Sequence, residues 1–187
     1  FDNNKIHLSL TANPSHLETV DGVRIERIPK TLFVDPGHYR SQVAEFSPEA
    51  VLGATVYGSY ALTVAQPEVP FWADQFGHVM AEAQAKSALD GHDAVVPFFW
   101  QLLEPVLCRA DRISVVSERQ KWAAIGELGA VGRLTFRTIG YDFTAVVPCA
   151  LQPETGRGPA PPAHRRTGID ETFRALWSGS YNTWSDV

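Results

Sequence analysis

Residues 68–90 read EVPFWADQFGHVMAEAQAKSALD, and the architecture is decided there. Val69 to Ala73 is a short apolar run with β-branched and aromatic content, entered through Pro67 and Pro70, which predicts a buried strand. Asp74 to His78 is polar and contains Gly77, the composition of a turn. From Val79 onward Ala, Glu, Gln, Lys and Leu dominate, and all are strong helix formers. Strand, polar turn and helix in succession make the repeating unit of α/β proteins with a parallel sheet. In such sheets ligands lie beyond the carboxyl ends of the strands. Asp74 and His78, an acid and an imidazole four residues apart, fall at that position.

The flanking sequence extends the same pattern. Lys5 to Thr11 alternates apolar and polar side chains and stops at Asn13-Pro14. Val23 to Ile28 alternates again after an Asp21-Gly22 turn. A short helix is predicted over Tyr39 to Phe46. Val51 to Val56 is a buried strand running into Tyr57-Gly58-Ser59-Tyr60, a second glycine-containing turn, with a short helix through Ala65. Residues 93–110 place apolar pairs at helical spacing, with Asp93 as N-cap and Pro105 as a kink. Arg112 to Val116 is a strand, and Ser117 to Gln120 matches a capping box opening a helix that ends at Gly129. Val131 to Val147 predicts one or two strands around a Gly140 turn.

Composition narrows the class. The chain has 187 residues, 44% of them hydrophobic and 20% charged, with a net charge of -5; it can bury a sizeable core and carries no basic stripe for nucleic acid. No run is long and apolar enough for a transmembrane helix, and no signal-peptide pattern opens the chain. Two cysteines, Cys108 and Cys149, are too few for a disulfide scaffold and read as small buried hydrophobes. The setting expected is a reducing, cytoplasmic one. Residues 153–168 are rich in proline and glycine and read as a linker, after which Phe173 to Trp177 reads as a strand and Ser178-Gly179-Ser180 as a tight turn. The division expected is 1–150, a first Rossmann-like domain; 151–168, a linker; and 169–187, the opening of a second domain.

Four pieces carry a family resemblance: DGVRIERIP (21–29), VPFWADQFGHVMAEAQAKS (69–87), ADRISVVSERQKWAAIGELGAVGRL (110–134) and ALWSGSYNTWSDV (175–187). In this order they resemble segments of retaining, nucleotide-sugar-dependent bacterial glycosyltransferases of the GT-B fold. The resemblance implies two Rossmann-like domains across a cleft, acceptor bound by the first and nucleotide diphosphate sugar by the second, with no metal and no cofactor beyond that co-substrate. It also implies a glycine-rich loop before Phe1 and a donor-binding acidic pair beyond Val187. Asp74 and His78 then become candidate catalytic residues, Tyr57, Gly58, Ser59 and Gly77 candidate acceptor contacts, and Ser178, Gly179 and Ser180 candidate donor contacts.

Plainer readings stand beside these. Asp74 can cap the following helix, His78 can do the same, and 57–60 can be an ordinary strand-to-helix connection. Asp90-Gly91-His92-Asp93 has metal-ligand residue types but the crowding of a turn and cap. Trp72, Trp100 and Trp122 read as core. No CxxC, HExxH, P-loop, GxSxG or GxGxxG motif is present. Two alternatives to the transferase are a non-catalytic binding or accessory partner keeping that fold, and an unrelated Rossmann-like enzyme using a nucleotide.

Overall fold

The computed structural model describes residues 6–11, 16–33, 35–65 and 67–149. The linker, the 173–177 strand, the 178–180 turn and the second-domain opening all lie outside them.

The fold is α/β and Rossmann-like, built on a parallel sheet flanked by helices. Its described elements are β1 (Ile6–Thr11), β2 (His16–Val20), β3 (Val23–Pro29), α1 (Lys30–Phe33), α2 (Pro36–Phe46), β4 (Val51–Ala54), α3 (Thr55–Ala65), β5 (Phe71–Gln75), α4 (Val79–Asp90), α5 (Val95–Arg109), β6 (Arg112–Val115), α6 (Glu118–Ala130) and β7 (Thr144–Val146). They form two sheets rather than one. The first has the order β1-β3-β2, and the second has the sequential order β4-β5-β6-β7, parallel throughout.

β2 is the strand that sequence reasoning missed. It pairs antiparallel with β3 through Asp21-Gly22, whose φ angles of 50° and 80° are both positive. A two-residue hairpin loop needs that conformation to match the strand twist. Residues 16–20, HLETV, read poorly as a strand because only their pairing with β3 distinguishes them.

Sequential parallel order has a consequence for the faces of the sheet. Right-handed crossovers between adjacent parallel strands all fall on the same side. Phe71 and Ala73 of β5, Ile113 and Val115 of β6, Leu62 and Ala65 of α3, Leu103, Val106 and Leu107 of α5, and Ala124 and Leu128 of α6 accordingly meet in one core. On the opposite face Leu52 of β4 is 59% exposed and Trp72 of β5 is 38% exposed. Parallel sheets are ordinarily covered on both faces, so alternation in β4 and β5 here reports a half-open sheet. The buried-core reading of Trp72 is corrected for that reason.

Helix ends follow local chemistry. α2 starts three residues earlier than predicted, because Asp35 is its N-cap, accepting from Gly37 N–H at 2.9 Å, and Pro36 fits the first turn. α3 absorbs the predicted 57–60 turn completely. α5 begins at Val95 with Ala94 as N-cap and no side-chain cap bond, so Asp93 does not cap it, and Pro105 lies inside the helix. α6 is capped as expected, Ser117 Oγ accepting from Gln120 N–H. Its Trp122 is 66% exposed and not core, while Cys108 and Cys149 are exposed rather than buried. In the 131–147 stretch only β7 is a strand, and Gly140 takes a positive φ of 80°.

Two clamps hold the amino end of the parallel sheet. Asp111 donates its N–H to Phe71 O at 2.9 Å, and its carboxylate accepts from Phe71 N–H at 2.9 Å and Arg109 at 3.0 Å. Arg133 donates to Leu107 O, Cys108 O and Ala110 O, closing the end of α5, and lies 4.8 Å above the Phe143 ring.

Burial pushes the Asp111 carboxyl up, but the Phe71 N–H and the Arg109 and Arg133 charges bring it below its ordinary 3.8. A carboxyl held low when folded contributes stability above the unfolded value and loses it as pH falls through the folded one. The stability of Asp111→Asn should therefore fall less steeply than the parent's below about pH 4, checked by urea titration at several pH values. Gly53 is held against backbone: a Cβ there would lie 2.6 Å from Ser59 Cα. Gly53→Ala should cost about 2 kcal/mol by overpacking, seen as a lower urea midpoint.

Candidate functional site

The carboxyl ends of β4, β5 and β6 lie side by side, because Ala54 is in register with Asp74, and Asp74 with Ser114. This row sits on the half-open face. Strand periodicity puts Trp72 on that face as well, two residues before Asp74. The Trp72 indole N–H donates to Ser114 Oγ at 2.9 Å, and the Ser114 hydroxyl donates to Asp74 Oδ1 in a short hydrogen bond. Ser114 is buried and Asp74 half-buried. The chain Trp72–Ser114–Asp74 therefore fixes the carboxylate at the edge of the open face. A carboxylate has more acceptor positions than one serine fills, so it can also take a hydrogen bond from a ligand.

Asp74 is the last residue but one of β5, not the first of a turn, and it does not cap α4. The cap is His78. Its Nδ1 accepts from Ala81 N–H at 3.2 Å, and its Nε2 lies 3.6 Å from Glu127 Oε1 on α6. With Nδ1 accepting, the ring directs Nε2 towards Glu127. His78 therefore serves as the α4 cap, with its other ring nitrogen facing Glu127 of α6. Burial raises the Glu127 carboxyl above its ordinary range, with the His78 charge opposing.

The remaining candidates separate. Tyr57, Gly58 and Ser59 lie within α3 rather than in a turn. Ser59 is completely buried and donates to Gly53 O at 2.8 Å, fastening helix to strand. Tyr57 stands edge-on to Phe99 of α5 at 5.9 Å. These are packing roles. Gly77 is in the turn before His78, where the Glu82 carboxylate folds so close that an added Cβ would lie 1.9 Å from it. Ser178, Gly179 and Ser180 lie outside the described residues. Gly91 is the left-handed C-cap of α4, so the 90–93 cluster forms a helix end. Among the described residues no group of three or more His, Cys, Asp or Glu side chains could hold a metal ion, and no helix is long and apolar enough to cross a membrane.

Thr55, at the same end of the sheet, is a position that sequence reasoning did not single out. It has a φ of 63° at the junction of β4 and α3. A β-branched side chain in the left-handed region is strained, and such strain concentrates at functional positions. Gly53, two residues earlier, permits the sharp strand-to-helix passage by letting Ser59 approach. Ser114 was also missed; its one signal was a polar residue inside the apolar run Arg112 to Val116.

Three helices begin at this end of the sheet: α3 directly after β4, α4 after the 76–78 turn, and α6 after Val116-Ser117. Their amino termini carry partial positive charge, part of it already met by the His78 and Ser117 caps and by Glu82 and Glu118 in the first turns of α4 and α6. The site thus combines an oriented carboxylate acceptor with the amino ends of three helices.

No protein-family model matches the chain, and no solved structure matches it. Curated relatives do: the 2-oxoglutarate dehydrogenase E1 components of Brucella ovis and Brucella canis, and that of Brucella suis biovar 1, are each 38% identical over 93 residues. The match covers 49% of this chain and 8% of each relative. It overturns the resemblance to GT-B glycosyltransferases. Of the four pieces that carried that resemblance, three are common strand-turn-helix or hairpin units, and the fourth lies outside the described residues.

Relieving the backbone strain isolates its role. Thr55→Gly should raise the urea midpoint, by about 1 kcal/mol of stability, with the circular dichroism spectrum unchanged.

Proposed function

We propose that this chain is part of an enzyme of the 2-oxo-acid dehydrogenase E1 type, with its ligand cleft at the carboxyl ends of β4, β5 and β6. The observation that carries the reading is the 93-residue similarity to 2-oxoglutarate dehydrogenase E1 components. The geometry agrees with it in kind. A 2-oxo dicarboxylate presents anionic oxygens to the amino termini of α3, α4 and α6. Asp74, held by Ser114, offers an acceptor to a donor group on a ligand or on an adjoining part of the enzyme. Charge sets the arrangement: an anion held by helix termini must keep its carboxylates away from Asp74, which orients it in the cleft. Catalysis by the whole enzyme draws on residues well beyond this chain, which matches 8% of the relatives' length. The setting of such an enzyme is cytoplasmic in this reading.

A second reading, a non-catalytic binding or accessory module, keeps the same cleft without chemistry. It is favoured by the use of His78 Nδ1 as the cap of α4.

Titrating 2-oxoglutarate into the full chain and following backbone amides by NMR tests the cleft. Shifts confined to Thr55–Tyr57, Asp74–Val79 and Ser114–Gln120, about tenfold weaker at equal concentration for a monocarboxylate, are expected. Asp74→Asn should strengthen dianion binding by about threefold to tenfold, through removal of a like charge. Shifts spread evenly over the surface, or the same response to chloride alone, would refute the assignment.

A further inference from the structure

At the carboxyl end of β5 a buried polar side chain has a donor without a partner. Gln75 is 5% exposed, and its Nε2 is sealed from water with no acceptor. Its backbone is used: Gln120 Nε2 donates to Gln75 O at 3.2 Å, fixing the start of α6 against the strand end. The Gln75 side chain faces the helices with Phe71 and Ala73, since these three alternate with Trp72 and Asp74 along β5. Continuing the β4–β5 register one step past Ala54 and Asp74 sets Gln75 beside Thr55, the first residue of α3. α3 itself packs on β5. The unpaired amide therefore lies at the amino terminus of α3. A buried donor left without an acceptor costs stability, and such an exception in a folded protein calls for a reason.

That terminus differs from its two neighbours. α4 is capped by His78 and carries Glu82 in its first turn, and α6 is capped by Ser117 and carries Glu118. The first turn of α3 holds no acidic residue, and among the described residues no side chain accepts from its N–H groups. Its partial positive charge is left uncompensated. Asp74 does not supply the missing charge, because its carboxylate is turned to Ser114 on β6, on the far side of β5 from β4. We propose that Gln75 Nε2 and the first N–H groups of α3 together bind one carboxylate of the ligand. An anionic oxygen accepts from both kinds of donor. The terminal torsion of a glutamine is soft, so the amide can turn to meet that oxygen without moving the backbone. The inference deepens the function proposed above and rests on the reading of this end of the sheet as a ligand cleft. It places the carboxylate on the β4 side of that cleft, across β5 from the Asp74 oxygen bound to Ser114.

Adding 2-oxoglutarate to the full chain and following side-chain as well as backbone amides by NMR tests the anchor. The Gln75 side-chain amide and the backbone amides of Val56 and Tyr57 should shift together, with a single dissociation constant. Gln75→Met, unbranched and of similar volume, should weaken binding by about tenfold. Its urea midpoint without ligand should equal or exceed the parent's, because an unpaired buried donor has been removed. A purely structural amide would give the reverse, a lower midpoint with unchanged binding. Parent affinity in Gln75→Met overturns the anchor and leaves the cleft reading standing. So does a Gln75 side-chain amide that stays still in the parent while other cleft amides shift. A midpoint below the parent's overturns it as well, since it would give the amide a partner within the fold. A parent in which no residue at the strand ends responds overturns the anchor and the cleft together.

Discussion

The parallel register of β5 with β4 on one side and β6 on the other is the constraint from which the described structure follows. Backbone groups buried in a sheet must be paired, and here the pairing is completed beyond the strand ends by Asp111, which binds both the N–H and the carbonyl of Phe71. With that row of bonds in place, Ala54, Asp74 and Ser114 stand abreast. A slip of one residue in either pairing would turn Asp74 away from Ser114 and drive Phe71 out of the core. The same register therefore serves packing on one face and polar chemistry on the other.

The two faces obey different physics. On the helix side the side chains of β5 and β6 are buried and apolar, apart from Gln75, which lies beside Gln120 at the end of the strands. On the other side a tryptophan, a serine and an aspartate form a hydrogen-bonded line that an apolar layer would have to desolvate. A covered face would tolerate that carboxylate only with further partners. Half-openness and the presence of Asp74 are thus consistent with each other. They also explain why the alternation in residues 71–75, buried and exposed by turns, coexists with parallel pairing.

Close approach between β4 and α3 does a separate job. Gly53 lets the Ser59 backbone come within contact, Ser59 Oγ closes the gap with a hydrogen bond, and Thr55 accepts a left-handed conformation so that the helix can start immediately. This brings an amino terminus of a helix to the cleft without an intervening loop. His78 and Ser117 do the same for α4 and α6 by side-chain capping, and the His78–Glu127 contact ties those two helices together. Three helix amino termini thus come to one end of the parallel sheet, beside Asp74.

The sequence by itself determined the α/β class, the strands at β4, β5 and β6 with a helix after each, the capping of α6 by Ser117, and the neighbourhood of Asp74 at the carboxyl end of a strand. Those features depend on local periodicity and on side chains that bond to their own backbone. It also read His78 as a possible cap, and the structure shows that role. Only the tertiary structure decided that β2 exists, that the described strands form two sheets, that residues 57–60 belong to a helix, and that Trp72 and Ser114 converge on Asp74. Each of these rests on partners distant in sequence: β3 for β2, α5 for Tyr57, and a serine forty residues away for the carboxylate. Spacing along a chain records which side a residue faces, but what waits on that side is set by folding.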